Sequence, residues 1–217
     1  MRVRGAALAA STATAVAAGV TGMNRLGELS LSSIASSPQG VGEGKVWLVL
    51  SSALIADRPA IPSLVGFWVV SVAVLLLCSV RLAVSAAAFG HVLSALGIYG
   101  LIGLVRVVEP HAFASLLQLA DYGLSAIIAA WLGALARVLW ARYPSRAGHA
   151  GIALGSVACA AIGVAFRPDL TLLDSEHLLA FAVGIAVADA RVRRLVTMTP
   201  RRLVAVTAGW SLVSRGS

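Results

Sequence analysis

The stretch "IPSLVGFWVVSVAVLLLCSV", Ile61–Val80, runs without a single charged side chain. A helix rises about 1.5 Å per residue, so a run of this length matches the roughly 30 Å hydrocarbon core of a bilayer. In lipid only helices and closed barrels satisfy every backbone donor and acceptor, and a continuous apolar run this long is no strand. The segment therefore predicts a membrane-spanning helix. Five other segments read the same way: Ala6–Met23, Ala87–Val105, Leu124–Leu139, Ala150–Phe166 and His177–Ala188. The last is short for a full span and extends back through Leu172 and Leu173, or starts partway into the bilayer. The expectation is an all-α, polytopic six-helix transmembrane bundle, with 1–217 as one domain.

Composition supports that class. Charged residues make up 12% of the chain against 59% hydrophobic, where a soluble domain carries about 25% charged. The net charge of +8 is not a nucleic-acid footprint, because the basic residues sit at helix ends and form no face interleaved with aromatics. Cys78 and Cys159 fall inside apolar runs, where single thiols pack as small hydrophobes. No Cys-x-x-Cys pair and no His/Cys cluster points to a metal, and no cofactor is expected.

Charge also orients the spans. With the N-terminus inside and the helices alternating, Arg2, Arg4, Arg81, Arg137, Arg142, Arg146, Arg191, Arg193, Arg194, Arg201, Arg202 and Arg215 fall inside. Only Arg25, Lys45, Arg58, Arg106 and Arg167 fall outside, and Asp189 is the one acid inside. The positive-inside rule then places both termini in the cytoplasm. The expected location is a bacterial plasma (inner) membrane. The first segment, led by Arg2 and Arg4, also has the look of a signal peptide, but a retained helix keeps the even span count. The first outer loop, 24–60, contains "GKVWLVLSSALIAD", read as an interfacial or partly inserted helix. The tail 190–217, with Pro200, Arg201 and Arg202, reads as a cytoplasmic segment drawn to the anionic leaflet.

Topology sorts the histidines. His91 and His149 are expected at inner helix ends, and His111 in an outer loop. His177 and Ser125 both open helices from the outer side, at similar depth. Ser125, Ala129 and Gly133 recur every four residues on one helix, and Ala180, Gly184 and Ala188 on the other, with His177 three before Ala180. Small residues at that spacing let membrane helices approach closely. If the stripes face each other, Ser125 and His177 meet, and a neutral imidazole beside a serine hydroxyl is the minimal general-base and nucleophile pair. The plainer alternatives are a serine bonded to a backbone carbonyl, Asp121 as a helix cap, and His177 as an interfacial residue beside Asp174 and Glu176.

These residues resemble a known family. "YGLSA", Tyr122–Ala126, is similar to the Gly-x-Ser-Gly motif of rhomboid intramembrane serine proteases, and "EHLLAFAVGIA", Glu176–Ala186, to their last core helix. "WLVLSSALIAD", Trp47–Asp57, is similar to a part of their first outer loop. The resemblance is to divergent bacterial rhomboid-like membrane proteins. It implies a six-helix core with an outward-facing, water-filled cavity, Ser125 as nucleophile and His177 as general base. It further implies that Gly123 relaxes the turn before the serine and that the Ser125 amide serves the oxyanion hole. The partners implied are transmembrane protein substrates or clients, within the lipid bilayer. Ala126 replaces the motif's second glycine. Typical rhomboids also carry a histidine and an asparagine on the second helix; here that helix has neither, and Asn24 is the only asparagine. Two other functions remain open from the sequence. One is a catalytically inactive relative that binds client helices. The other is a small transporter, which would want ionisable or broken-helix sites near mid-membrane.

Overall fold

The computed structural model describes residues 3–56, 59–165 and 175–191, with 158–165 described by backbone alone. Among them every regular element is helical: α1 Val3–Arg25, α2 Leu31–Ile34, α3 Pro38–Gly42, α4 Trp47–Ser52, α5 Ala60–Leu77, α6 Val80–Val108, α7 Gly123–Arg142, α8 Arg146–Ala165 and α9 over 175–191. Helices α1, α5, α6 and α7 are each long and apolar enough to cross a membrane. The Cys159 side chain, Leu172, Leu173, Asp174, and the tail from 192 onward lie outside the described residues.

Helices α1, α5, α6 and α7 coincide with four of the six expected spans, with shifted ends, and the other two segments fall on α8 and α9. The largest shift is in α6, which begins at Val80 rather than Ala87 because Ser79 caps it, its hydroxyl accepting from the Leu82 amide at 3.2 Å. Only Cys78 and Ser79 separate α5 from α6, and Cys78 is a free thiol.

Helix α7 lies at the centre of the molecule, packed on α5, α6 and α8. Trp131 ties three of these together. Its indole N–H donates to the Ala83 carbonyl of α6 at 2.8 Å, and its ring lies against Phe67 of α5, centroids 5.2 Å apart. Phe67, Val74, Ala83, Ala86, Leu124, Trp131 and Ala134 form the main apolar core.

Helices α7 and α9 run parallel in constant register. Ser125 meets His177 at one end and Arg137 meets Asp189 at the other, and each pair is 52 residues apart in sequence. Between them the helices touch backbone to backbone. A Cβ on Gly133 would fall on the Phe181 carbonyl, and one on Gly184 on the Ala130 carbonyl. Ala126, Ala130 and Ala180 complete the seam, with Ala129 partly buried beside it. The facing stripe on α7 is thus Ala126–Ala130–Gly133. Of the expected Ser125–Ala129–Gly133 row, Ser125 and Gly133 both touch α9 and Ala129 packs at the edge of the seam, while Ala126 and Ala130 lie at its middle.

The segment read as an interfacial or partly inserted helix packs one face on the bundle. Helix α4 is only six residues long, and its Leu48, Val49 and Ser52 are buried. Val49 packs with Ala95, Ile98, Tyr99 and Ile102 of α6. Trp47 and Leu50 on its other face stay exposed. The loop is therefore a plug seated on α6.

Candidate active site

The N-terminus of α7 and the first turns of α9 meet under the first loop. Ser125 is the third residue of α7, and His177 the third of α9. His177 Nε2 lies 2.8 Å from Ser125 Oγ, and both residues are half-buried. Ser125 Oγ also lies 3.0 Å from the Tyr122 carbonyl. The hydroxyl has one proton and a carbonyl only accepts. When His177 carries its proton on Nδ1, Nε2 competes with Tyr122 for the serine proton. When Nε2 is protonated, it donates to Oγ and the serine proton stays on Tyr122. The two plain readings of the serine, backbone-bonded or histidine-paired, are both present in one geometry.

The first-turn amides of a helix have no intrahelical acceptors. Those of α7 lie at the positive end of its dipole, next to Ser125. A negative charge developing close to Oγ would find donors there without any further side chain.

Gly123 contributes in a different way from a relaxed turn. Its φ is not positive, and a Cβ there would fall on the His91 imidazole. The glycine is needed because that ring packs directly on the backbone at the start of α7.

This corrects the position of His91. It is not at the inner end of its helix, opposite to Ser125. Because α6 starts early, His91 is about 16 Å along it, 2% exposed, and beside Gly123. Its Nε2 hydrogen-bonds the Val49 carbonyl of the first loop and lies 3.2 Å from Ser52 Oγ. A carbonyl only accepts, so Nε2 carries a proton. Nδ1 faces Glu176 Oε1 at 3.8 Å, an ion-pair distance too long for a hydrogen bond. The interior of α6 therefore carries an ionisable group.

Asp121 does not cap α7. Tyr122 is the cap residue, and its own side chain makes no cap hydrogen bond. Instead Asp121 is buried, its backbone N–H bonded to the Ser36 carbonyl at 2.8 Å and its Oδ2 accepting from Tyr99 Oη at 2.6 Å. Tyr99 Oη also meets Ser36 Oγ at 2.9 Å, and Ser36 Oγ meets Ser52 Oγ at 3.2 Å. Glu176, 1% exposed, lies beside Asp121 and accepts from Ser94 Oγ at 3.0 Å. Burial, and then the neighbouring Glu176, push the Asp121 carboxyl up to about 7, against the opposing pull of Tyr99 and His91.

The structure thus brings Ser125, His177 and Gly123 together, with Asp121 one layer away. Ala180, Gly184 and Gly133 form the seam below. His149 stacks on Trp140, centroids 3.8 Å apart, away from the pair. His91, Tyr99, Glu176, Ser36, Ser52 and Ser94 were missed as site neighbours. A histidine and a tyrosine eight residues apart inside an apolar span, and a glutamate adjoining His177, were the available signals. Among the described residues no group of His, Cys, Asp and Glu is arranged to hold a metal ion. Comparison with family models, with curated proteins and with solved structures finds no match to this chain.

Proposed function

We propose that the chain is a rhomboid-like integral membrane protein with a six-helix core, acting as an intramembrane serine endopeptidase on transmembrane segments. The observation that carries this is the 2.8 Å approach of His177 Nε2 to Ser125 Oγ at the amide-rich start of α7. In this reading His177, protonated on Nδ1, takes the Ser125 proton as Oγ attacks a peptide carbonyl. The oxyanion is held by first-turn amides of α7. His177 then protonates the leaving amine, giving an acyl-serine and a freed N-terminus. Water, deprotonated by His177, returns the serine and releases the carboxyl product. The site opens to the outer face of a bacterial inner membrane, with both chain termini in the cytoplasm. The substrates are transmembrane proteins.

Purified full-length protein in detergent should be labelled at Ser125 by a fluorophosphonate and should cleave a test transmembrane substrate. Ser125→Ala and His177→Ala should each lose both, the drop for a catalytic serine or histidine being on the order of a thousandfold or more. Asp121→Asn should retain part of the activity.

A second reading is an inactive relative that holds client helices. It is favoured by His91, whose Nε2 is committed to Val49 and which faces Glu176, not an oxyanion position. Parent protein that folds normally yet shows neither labelling nor cleavage across several substrates would select it.

A further inference from the structure

Beneath the Ser125–His177 pair lies a buried polar cluster that the proposed chemistry does not use. It contains one imidazole, two carboxyls, one phenol and three hydroxyls: His91, Asp121, Glu176, Tyr99, Ser36, Ser52 and Ser94. None of these is more than 8% exposed. Ionisable side chains inside a membrane fold are costly and persist where they have a task. Here their placement points to one. Glu176 immediately precedes His177 in the chain. Its carboxyl is held from α6 by Ser94 Oγ at 3.0 Å and faces His91 Nδ1 at 3.8 Å. The same His91 ring reaches the first loop through Val49 and Ser52, and Asp121, beside Glu176, reaches it through Tyr99 and Ser36.

We infer that Glu176 is a positioning residue for His177: by docking into the Ser94–His91–Asp121 cluster it fixes the first turn of α9, and with it the reach of the His177 ring to Ser125, and links that turn to the placement of the first loop. The glycine seam below sets how close α9 comes to α7. It bears on the rotation and height of the first turn of α9 only through the helix backbone, because that turn lies above Ala180, the seam's outermost residue on that helix. A polar group buried on that turn with a required partner does set both, because any rotation strands it. The adjoining side chain is then fixed by covalent geometry.

This inference builds on the proposed use of the Ser125–His177 pair, and its test separates the two. Full-length parent, Glu176→Gln, Glu176→Ala and Ser94→Ala proteins would be prepared in detergent. The first readout is the histidine nitrogen spectrum of isotope-labelled protein, with the His177 signals assigned by His177→Gln. The second is the fluorophosphonate labelling of Ser125, split into maximal rate and half-saturating probe concentration. In Glu176→Ala the His177 signature of the Ser125 hydrogen bond should be lost. The maximal labelling rate should fall by on the order of a hundredfold, as for a small misplacement of a catalytic group, with half-saturation unchanged. Glu176→Gln, which can still accept from Ser94, should recover part of both. Ser94→Ala should lie between Gln and parent. Unchanged His177 signals and labelling rate in a folded Glu176→Ala protein would overturn the inference. So would an equal loss in Glu176→Gln and Glu176→Ala, because the retained acceptor would then be immaterial. If Glu176→Ala does not fold, the Ser94→Ala spectrum decides: unchanged His177 signals overturn the inference, and shifted ones support it. A parent that is never labelled removes the protease reading alone, and the nitrogen spectra still decide the role of Glu176.

Discussion

Helices α7 and α9 are joined twice, and the two junctions use opposite means. Over the seam of Ala126, Ala130, Gly133, Ala180 and Gly184 they are held by what is missing: no side chain larger than a methyl separates the backbones. At their upper ends they are held through polar groups that must each find a partner, from Ser125–His177 to the Glu176, Asp121 and His91 cluster. Lipid tails are as apolar as leucine, so association in the membrane relies on close contact and internal hydrogen bonds. The seam is insensitive to pH and intolerant of volume. The polar junction responds to protons. Placing chemistry at the second leaves the first free to act as a rigid ruler.

The largest effect should come from breaking the seam. At Gly184 a side chain meets the Ala130 backbone, which cannot rotate away. Gly184→Leu should therefore lose at least the upper part of the roughly 1–3 kcal/mol typical of overpacking. Denaturant or thermal unfolding in detergent would measure it. Leu178→Ala, on the same helix but 70% exposed, should stay within about 0.5 kcal/mol of the parent. Equal losses would mean that the seam carries no special constraint.

A smaller but more distinctive effect should come from the polar junction. Asp121 titrates near 7 in the fold and near 4 when unfolded, because burial and Glu176 oppose its charge. Its folded-state value is raised, so its favourable contribution is complete below the unfolded value. That contribution is lost as pH rises, because the unfolded chain gives up the proton first. The parent should lose on the order of a few kcal/mol from this group between about pH 4 and pH 7, and no more above that. Asp121→Asn should remove that slope, so the gap between variant and parent should shift in the variant's favour as pH rises. A gap that stays constant with pH would place the proton elsewhere in the cluster.

How legible each junction was in the sequence follows from the same contrast. The seam was nearly readable, because small residues at near-helical spacing are a local pattern; Ala126 and Ala130, at its middle, were the members the four-residue spacing passed over. Ser125 and His177 were readable because the charge pattern assigns both to the same end of their helices. The polar cluster was not. It is assembled from α6, α9, the first loop and the segment before α7, with partners up to 85 residues apart. Two local features hid it further. The Ser79 cap starts α6 early and moves His91 from a helix end to its interior. The first loop turns Val49 and Ser52 inward, so a stretch read only as interfacial or partly inserted also closes over His91. Gly123 looked like a turn glycine and is a contact glycine, a distinction that depends on a ring 32 positions earlier in the chain.

The smallest effect should come from a charged contact at the other end of the same two helices. Arg137 reaches Asp189 Oδ1 through both Nη2, at 2.6 Å, and Nε, at 2.9 Å. The geometry is short, yet both nitrogens share one oxygen, and the two side chains are 24% and 25% exposed. Water and salt reach the pair, so its worth should lie near the roughly 1 kcal/mol of partly exposed ion pairs. Arg137→Gln, which keeps a donor at similar reach, should lose about that much at low ionic strength and less in about 0.5 M salt, where the Debye length shrinks to a few ångströms. The Gly184→Leu loss should be the same in both buffers. A salt-independent loss above about 2 kcal/mol for Arg137→Gln would show that the lower end of α7 and α9 is desolvated far more than its exposure indicates. In that case both ends of the helix pair would be polar junctions, with the glycine seam reduced to the spacer between them.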